Sequence, residues 1–268
     1  MHNQPIGILD SGVGGLSIWN EIVALLPNEP TIYLADQKNV PYGTKTVEEI
    51  HELSRDLITF LLQRKVKLIV IACNTITVNC LDFLREEFPQ IPIIGTVPVV
   101  KLAAQVTKNR KIGILSTIRT AYSHYQKQLI STYAGECEVV NIGTDRLVPF
   151  VERGETNSEI LLNTLKNELQ PFQATHIDTL ALGCTHYPFL RDEMQKILGD
   201  KISILDSGAA IARQVKRVLE NNKLFSSQET KSYEFYTTGS TEKFTKVAKK
   251  LVGEGIRDKI GMVEKILC

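Results

Sequence analysis

The sequence predicts an α/β fold built from two similar units, each with a parallel sheet. Short runs of β-forming apolar residues alternate with amphipathic stretches along the chain, which is typical of βαβ units. In addition, residues 6–11 (IGILDS) return as residues 112–117 (IGILST). A repeat distance of roughly 110 residues is too long for a solenoid and indicates two related α/β units. We therefore expect two pseudo-symmetric domains with the active site in the cleft between them.

The predicted strands are short apolar runs bounded by turn-forming residues. In chain order they cover residues 6–9, 31–35, 68–71, 91–95, 111–115, 138–142, 179–182, 202–205 and 234–237. Helices are predicted where apolar residues recur three and four positions apart, as Val47, Ile50, Leu53 and Leu57 do. They cover residues 16–26, 47–64, 75–88, 120–133, 158–169, 188–198, 209–220 and 241–251. The polar segment 221–232 is predicted to be a surface loop.

The order of these elements predicts that the second unit is inserted into the first. Residues 1–97 together with 209–268 form the first expected domain, and residues 98–208 form the second. Two similar halves of this kind create one cleft between them.

Composition excludes several classes of function. The chain has 268 residues and is 43% hydrophobic, which is enough for one large core or two moderate ones and excludes a disordered protein. The net charge of +1 gives no electrostatic argument for a nucleic-acid or membrane partner. The start lacks the features of a signal peptide, and no apolar run is long enough for a membrane span. We expect a soluble cytoplasmic protein whose five cysteines are reduced thiols.

Two of these cysteines occupy matching positions. Apolar β-forming runs lead into residues 72–75 (ACNT) and into residues 183–186 (GCTH). In open parallel sheets, ligands bind beyond the carboxyl ends of the strands, where loops turn into helix N-termini. Those N-termini attract a carboxylate. The sequence therefore predicts that Cys73 and Cys184 lie on one rim, around a pocket for a small dicarboxylate or an amino acid.

Five segments together resemble the glutamate racemases over essentially the whole chain. They are residues 10–16 (DSGVGGL), 36–43 (DQKNVPYG), 72–75 (ACNT), 182–188 (LGCTHYP) and 236–239 (YTTG). The resemblance implies a cofactor-independent isomerase that supplies D-glutamate for peptidoglycan, with no metal. It also implies a homodimer whose ligand is the small molecule glutamate.

The chemistry of the residues agrees with this resemblance. Inverting a Cα centre requires a base on one face and an acid on the other, which a thiolate and a thiol provide. The thiolate must be stabilised, and Asp10 is the candidate neighbour of Cys73, as His186 is of Cys184. By resemblance, Cys73 takes the α-proton from D-glutamate and Cys184 from L-glutamate, while Asp10, Glu152 and His186 assist. The implied substrate-binding residues are Asp10, Ser11, Tyr42, Gly43, Asn74, Thr75, Thr117, Thr120, Thr185 and His186.

Other polar residues have ordinary explanations. Asp10 and Asp36 each follow a strand, where a carboxylate commonly caps a helix. By composition alone, Glu152 is a surface acid in a loop. The remaining thiols and imidazoles are expected to be structural or exposed: Cys80, Cys137, Cys268, His2, His51, His124 and His176.

Four alternatives remain. The pattern Gly12-x-Gly14-Gly15 after the first strand, with Asp36 after the second, imitates a dinucleotide-binding fingerprint, but the last glycine is missing. Two thiols and an imidazole could bind zinc if they met in space. A two-lobed amino-acid-binding protein would have the same architecture without needing paired thiols. Aspartate or hydantoin racemisation would use the same two-thiol chemistry on a different substrate.

Overall fold

The computed structural model describes residues 3–96, 99–227, 232–253, 257–258 and 260–266. These residues form ten strands. In chain order the strands are β1 (Ile6–Asp10), β2 (Thr31–Ala35), β3 (Leu68–Ile71), β4 (Ile93–Gly95), β5 (Lys111–Ser116), β6 (Glu138–Gly143), β7 (Thr179–Gly183), β8 (Ser203–Leu205), β9 (Tyr233–Thr237) and β10 (Val263–Lys265).

The strands form two separate parallel sheets. The first has the order β10-β9-β2-β1-β3-β4 and the second the order β6-β5-β7-β8. Every strand pair in both sheets is parallel. The order β2-β1-β3-β4 in the first sheet is matched strand for strand by β6-β5-β7-β8 in the second, so the sequence repeat is also a repeat of topology. The predicted α/β class with two parallel-sheet units is confirmed.

Helices follow most of the strands. They are α1 (Leu16–Leu25), α2 (Val47–Gln63), α3 (Asn74–Glu87), α4 (Val100–Val106), α5 (Ile118–Ala121), α6 (His124–Tyr133), α7 (Val148–Glu152), α8 (Glu159–Thr175), α9 (Arg191–Leu198), α10 (Gly208–Asn221) and α11 (Thr241–Leu251). Short 3₁₀ helices cover Tyr42–Thr44 and Tyr187–Leu190. Within the described residues, no helix is both long enough and apolar enough to cross a membrane.

Several predicted boundaries differ from the structure. The single helix predicted for 120–133 is two helices, because the Ser123 hydroxyl accepts the N–H of Gln126 and starts α6 afresh. Helix α8 continues past its predicted end through Pro171, and the buried Phe172 packs in its last turn. The elements α4, α7 and β10 were not predicted. Part of the predicted loop 221–232, residues 228–231, lies outside the described residues.

The central strands position the functional residues. Strands β1, β2, β3 and β7 are buried along their whole length, as expected for parallel strands covered on both faces. Their continuous apolar runs end abruptly, at Asp10 as the last residue of β1 and at Cys184 directly after β7. Burial therefore fixes the strand ends, and the strand ends place the polar side chains.

Candidate active site

Residues from the carboxyl ends of both sheets line one small cavity. The lining residues are Ser11, Pro41, Tyr42, Gly43, Cys73, Asn74, Thr75, Thr117, Val148, Cys184, Thr185 and His186. Both paired cysteines and eight of the ten predicted binding residues are among them. Asp10 and Thr120 lie behind this layer. The apolar residues Pro41 and Val148 were missed, because no polar group in the sequence marks them.

The first thiol, Cys73, lies between β3 and the start of α3. Its Sγ donates to the Ser11 hydroxyl oxygen at 3.6 Å. Burial raises the pKa of Cys73 to about 12, and the nearby Asp10 carboxylate adds to this effect. The N–H of Ile76 and the Ser11 hydroxyl oppose the rise. Without substrate, Cys73 is therefore a neutral thiol.

The carboxylate of Asp10 connects the two halves of the site. Its Oδ2 accepts the N–H of Gly12 at 3.0 Å, and its Oδ1 accepts the hydroxyl of Thr185 at 3.2 Å. Burial raises the pKa of Asp10, while His186 and the N–H groups of Gly12 and Gly15 act to lower it. Asp10 does not line the cavity but supports residues that do.

The second thiol, Cys184, has a different neighbourhood. Its Sγ lies 3.7 Å from Nδ1 of His186, and Nε2 of that ring lies 2.7 Å from Oε1 of Glu152. Burial alone would lower the pKa of His186, but its hydrogen bonds to Cys184 and Glu152 raise it well above its ordinary value. These two contacts favour the charged form of the imidazole, which can stabilise a thiolate.

The glycine-rich loop after β1 makes room for this pair. A Cβ on Gly12 would lie 1.9 Å from Oε1 of Glu152, and one on Gly14 would lie 2.3 Å from Nδ1 of His186. In addition, the N–H of Val13 donates to Glu152 Oε1 at 2.8 Å. The glycines thus have a role in this structure that requires no nucleotide.

A cluster of three threonine hydroxyls links the two sheets. Thr75 Oγ1 lies 2.9 Å from Thr117 Oγ1, which donates to Thr120 Oγ1 at 3.0 Å. Thr120 contributes to the cluster from behind the cavity wall. None of the lining residues is Lys or Arg. A bound carboxylate would therefore depend on hydroxyls and on the free N–H groups at the start of α3.

The carboxylate of Asp36 holds a cavity residue, a role beyond the helix cap that its place after a strand suggests. Its Oδ2 accepts the hydroxyl of Tyr42 at 2.5 Å, and its Oδ1 accepts that of Thr238 at 2.6 Å. Burial raises the pKa of Tyr42 well above its usual value, and Asp36 adds to the rise. Tyr42 therefore faces the cavity as a fixed, neutral phenol.

The remaining thiols and imidazoles lie away from the cavity where the structure describes them. Cys80 is buried on α3, Cys137 is half-buried before β6, and His51 stacks on Phe83. Cys268 and His2 lie outside the described residues. Among the described residues, no group of three or more His, Cys, Asp or Glu side chains is arranged to hold a metal ion.

Comparison with known proteins identifies the family. Residues 6–215 match the family model for Asp/Glu/Hydantoin racemase. The chain is 41% identical over 252 residues to the glutamate racemase of Clostridium novyi (strain NT), covering 93% of this chain and 97% of that protein.

Two solved structures give the same result. Glutamate racemase isoform RacE1 from Bacillus anthracis has a TM-score of 0.87 at 31% identity, covering 100% of this chain and 98% of that one. Glutamate racemase from Francisella tularensis subsp. tularensis SCHU S4, in complex with D-glutamate, has a TM-score of 0.86 at 31% identity, with the same coverages. The chain therefore belongs to the Asp/Glu/hydantoin racemase family, among its glutamate racemases, and is an amino-acid racemase.

Proposed function

We propose that this racemase interconverts L-glutamate and D-glutamate without a cofactor, using two thiols that exchange roles with direction. The observation that supports it most is that Cys73 and Cys184, from equivalent strand ends of the two sheets, line one small cavity. The relatives are glutamate racemases, and the Francisella tularensis protein was solved with D-glutamate.

In the direction from D- to L-glutamate, the Cys73 thiolate takes the α-proton and the Cys184 thiol delivers a proton to the opposite face. One C–H bond breaks as an S–H bond forms, and one S–H bond breaks as a C–H bond forms, so no electrons are gained or lost. In the reverse direction Cys184 is the base. His186 and Glu152 assist Cys184, and Asp10 assists from between the halves.

Because the free Cys73 is a thiol with a pKa of about 12, its activation depends on the substrate. The α-ammonium group of glutamate brings a positive charge into a buried cavity, and such a charge favours the thiolate. We assign the ammonium to the side of Asp10 and Ser11. The carbanion that forms is stabilised by preorganised donors and by exclusion of water.

The carboxylates of the substrate are assigned to the polar wall of the cavity. The contacts are the N–H groups and side chains of Asn74 and Thr75, the hydroxyls of Thr117 and Thr185, and the turn at Tyr42 and Gly43. Thr120 acts indirectly by holding the hydroxyl of Thr117.

We also propose a division of the chain into two domains, an oligomeric state and a physiological role. The domains are residues 1–97 with 209–268, and residues 98–208. This division is supported by the packing of α10 against α1 and by the place of β9 and β10 in the first sheet.

By analogy with the family, the enzyme is a cytoplasmic homodimer that supplies D-glutamate for peptidoglycan. Light scattering that gives a monomeric mass would contradict the dimer.

Circular dichroism tests the substrate. Pure enzyme dialysed against EDTA is incubated with L-glutamate and, separately, with L-aspartate, with no pyridoxal phosphate, metal or nucleotide added. We expect the signal to decay to zero with glutamate alone. Decay with aspartate alone would keep the two-thiol chemistry and change the substrate. No decay with either would refute the proposal and favour a binding protein.

Turnover in D₂O tests the two-base step. With one base on each face, newly formed D-glutamate carries deuterium at Cα, while the remaining L-glutamate does not early in the reaction. Proton NMR of the separated enantiomers measures both. Equal deuterium in substrate and product from the first time point would indicate a single base and contradict the mechanism.

A further inference from the structure

Gln37, in the loop after β2, contacts the charged pair beside Cys184. The residue is half-buried. Its Nε2 donates to Oε2 of Glu152 at 2.9 Å, and its Oε1 accepts the hydroxyl of Thr237 at 3.3 Å. Gln37 belongs to the first sheet's loops and Glu152 to those of the second. This contact therefore connects the two halves of the molecule behind the cavity.

The contact from Gln37 holds the second oxygen of the Glu152 carboxylate in place. Oε1 accepts from Val13 N and from His186, so the two oxygens are held from different directions. The terminal torsion of a glutamate side chain is broad and has no steep preference of its own. If Oε2 loses its donor, the carboxylate can rotate about that torsion, and the 2.7 Å contact to His186 loosens with it.

We infer that Gln37 is a positioning residue for one of the two proton transfers: it orients Glu152, which orients His186 beside the Cys184 thiol. The inference rests on the proposed two-thiol function and deepens it. No hydrogen bond among the described residues links Gln37 to Cys73, whose hydroxyl neighbour is Ser11. Gln37 should therefore affect the Cys184 step and leave the Cys73 step unchanged.

The thermodynamics of racemisation determine which measurement can show this. Enantiomers have equal free energies in water, so kcat/KM must be equal in the two directions for every variant. A variant that slows only one of the two proton transfers therefore shows the same kcat/KM in both directions. The defect is visible in isotope effects, because slowing the Cys184 step makes that step rate-limiting in both directions. The kinetic isotope effect, which compares α-protonated with α-deuterated substrate, then rises for L-glutamate because Cys184 removes its α-proton. For D-glutamate it falls, because Cys73 removes that proton in a step that no longer limits the rate.

The experiment compares Gln37→Leu with a matched control. We expect kcat/KM to fall roughly tenfold, the typical effect of losing one hydrogen bond to a charged group. The isotope effect should rise for α-deuterated L-glutamate and fall for D-glutamate. The control is Gln173→Leu, the same change at a residue whose Nε2 donates to Ile197 O far from the cavity. It should leave activity and both isotope effects unchanged.

A second variant separates positioning from anchoring of the loop. Thr237→Val removes the hydroxyl that donates to Gln37 Oε1 at 3.3 Å and leaves the N–H of Gln37 that donates to Glu152. If Gln37 only anchors its loop, Thr237→Val should reproduce the isotope-effect asymmetry of Gln37→Leu. A positioning role predicts isotope effects like those of the parent in Thr237→Val. Thermal unfolding of both variants shows whether each is folded.

Alkylation provides a readout that does not depend on glutamate. Iodoacetamide at pH 7.5, with peptides quantified by mass spectrometry, reports on each thiol separately. We expect Gln37→Leu to slow alkylation of Cys184 several-fold, because His186 is less well placed to stabilise its thiolate, and to leave Cys73 unchanged. This result would support the inference even if the parent enzyme did not racemise glutamate.

Three outcomes would overturn the inference. They are unchanged kinetics and alkylation in Gln37→Leu, an equal change of both isotope effects, and an equal slowing of both thiols. Failure of the parent to turn over glutamate would refute the proposed function alone, and the alkylation of Cys184 would then decide on Gln37.

Discussion

The two halves of the site have the same backbone plan and different chemistry. Cys73 and Cys184 follow β3 and β7, which have the same place in their sheets. The immediate partner of Cys73 is the neutral hydroxyl of Ser11 at 3.6 Å. The partner of Cys184 is the His186 ring at 3.7 Å, itself paired with Glu152. Repetition of the fold thus places the thiols, and the loops around them give each thiol a different partner.

The difference arises in the loops that follow the second strand of each unit. After β6, that loop forms α7 and sends Glu152 to Val13, in the loop after β1. After β2, the corresponding loop brings Gly43 close to Thr117, in the loop after β5, where a Cβ would be 3.1 Å from the threonine Cβ. Each unit therefore supports the other, but of these two loops only the one after β6 places a carboxylate against the opposite unit. A symmetric scaffold is thus compatible with the unlike proton transfers that we propose.

The largest expected effect comes from removing either thiol. Cys73→Ala and Cys184→Ala should each lower racemisation of glutamate by roughly a thousandfold or more, since each deletes an acid–base group that the other cannot replace. Circular dichroism of L-glutamate measures the rate. Cys80→Ala, a buried cysteine on α3, is the control and should remain nearly as active as the parent. Similar activity in all three variants would contradict the two-thiol mechanism.

A substitution in the glycine-rich loop should disturb the Cys184 half. Gly14→Ala places a Cβ 2.3 Å from Nδ1 of His186, so the ring must shift from its place beside the thiol. We expect racemisation to fall by roughly a hundredfold with a larger isotope effect for L-glutamate, because misplacing a catalytic group is costly. Gly253→Ala, where a Cβ meets nothing within 4 Å, is the matched control. A fully active Gly14→Ala would show that His186 is not needed in this position.

The acidity of Cys73 can be measured directly. Because its pKa is about 12, its alkylation rate in substrate-free enzyme should still rise about tenfold per pH unit above pH 9, where a free thiol levels off. At pH 8 the rate should be roughly 50-fold below that of a free cysteine, since the scarcer thiolate is also more nucleophilic. Peptide mass spectrometry after iodoacetamide treatment gives the rate. A plateau at or below pH 9 would contradict the raised pKa.

The smallest expected effect is on the Cys73 half of the site, where the partner of the thiol is a neutral hydroxyl. Ser11→Ala removes the hydroxyl that lies 3.6 Å from Cys73, and we expect a loss of roughly fivefold, in line with one neutral hydrogen bond. The isotope effect should then rise for α-deuterated D-glutamate, the reverse of the pattern expected for Gly14→Ala. The same direction of change in both variants would mean that the halves do not act separately.

Most of the fold was predictable because its signals are local and repeated. Buried parallel strands read as continuous apolar runs, and the two Cys-x-Thr corners share one context. The missed strand β10 carries charged residues at two of its three positions, so its sequence has no apolar run. Helix α7 is short, and its one signal is Pro149 in the first turn.

The site was predictable where its residues follow the strands. Burial at the strand ends makes Cys73 and Cys184 recognisable. Glu152 was identified through the resemblance, whereas Gln37 lies in a resembling segment but was not singled out. Both act through long side chains that reach across from the other unit, and that geometry is absent from any local window. The glycines at 12 and 14 were the available signal for part of this, because their missing side chains mark where Glu152 and His186 approach.

The hydrogen bonds that build the site also cross between the sheets. Asp10 holds Thr185, Glu152 holds Val13, and Thr75 meets Thr117. Any opening wide enough to admit an amino acid must break several of these contacts together. Under the two-thiol mechanism that we propose, closing around the ligand would also bring the acid and the base together. An open enzyme would then be inactive, and the α-proton would be removed only where bulk water cannot reach the carbanion.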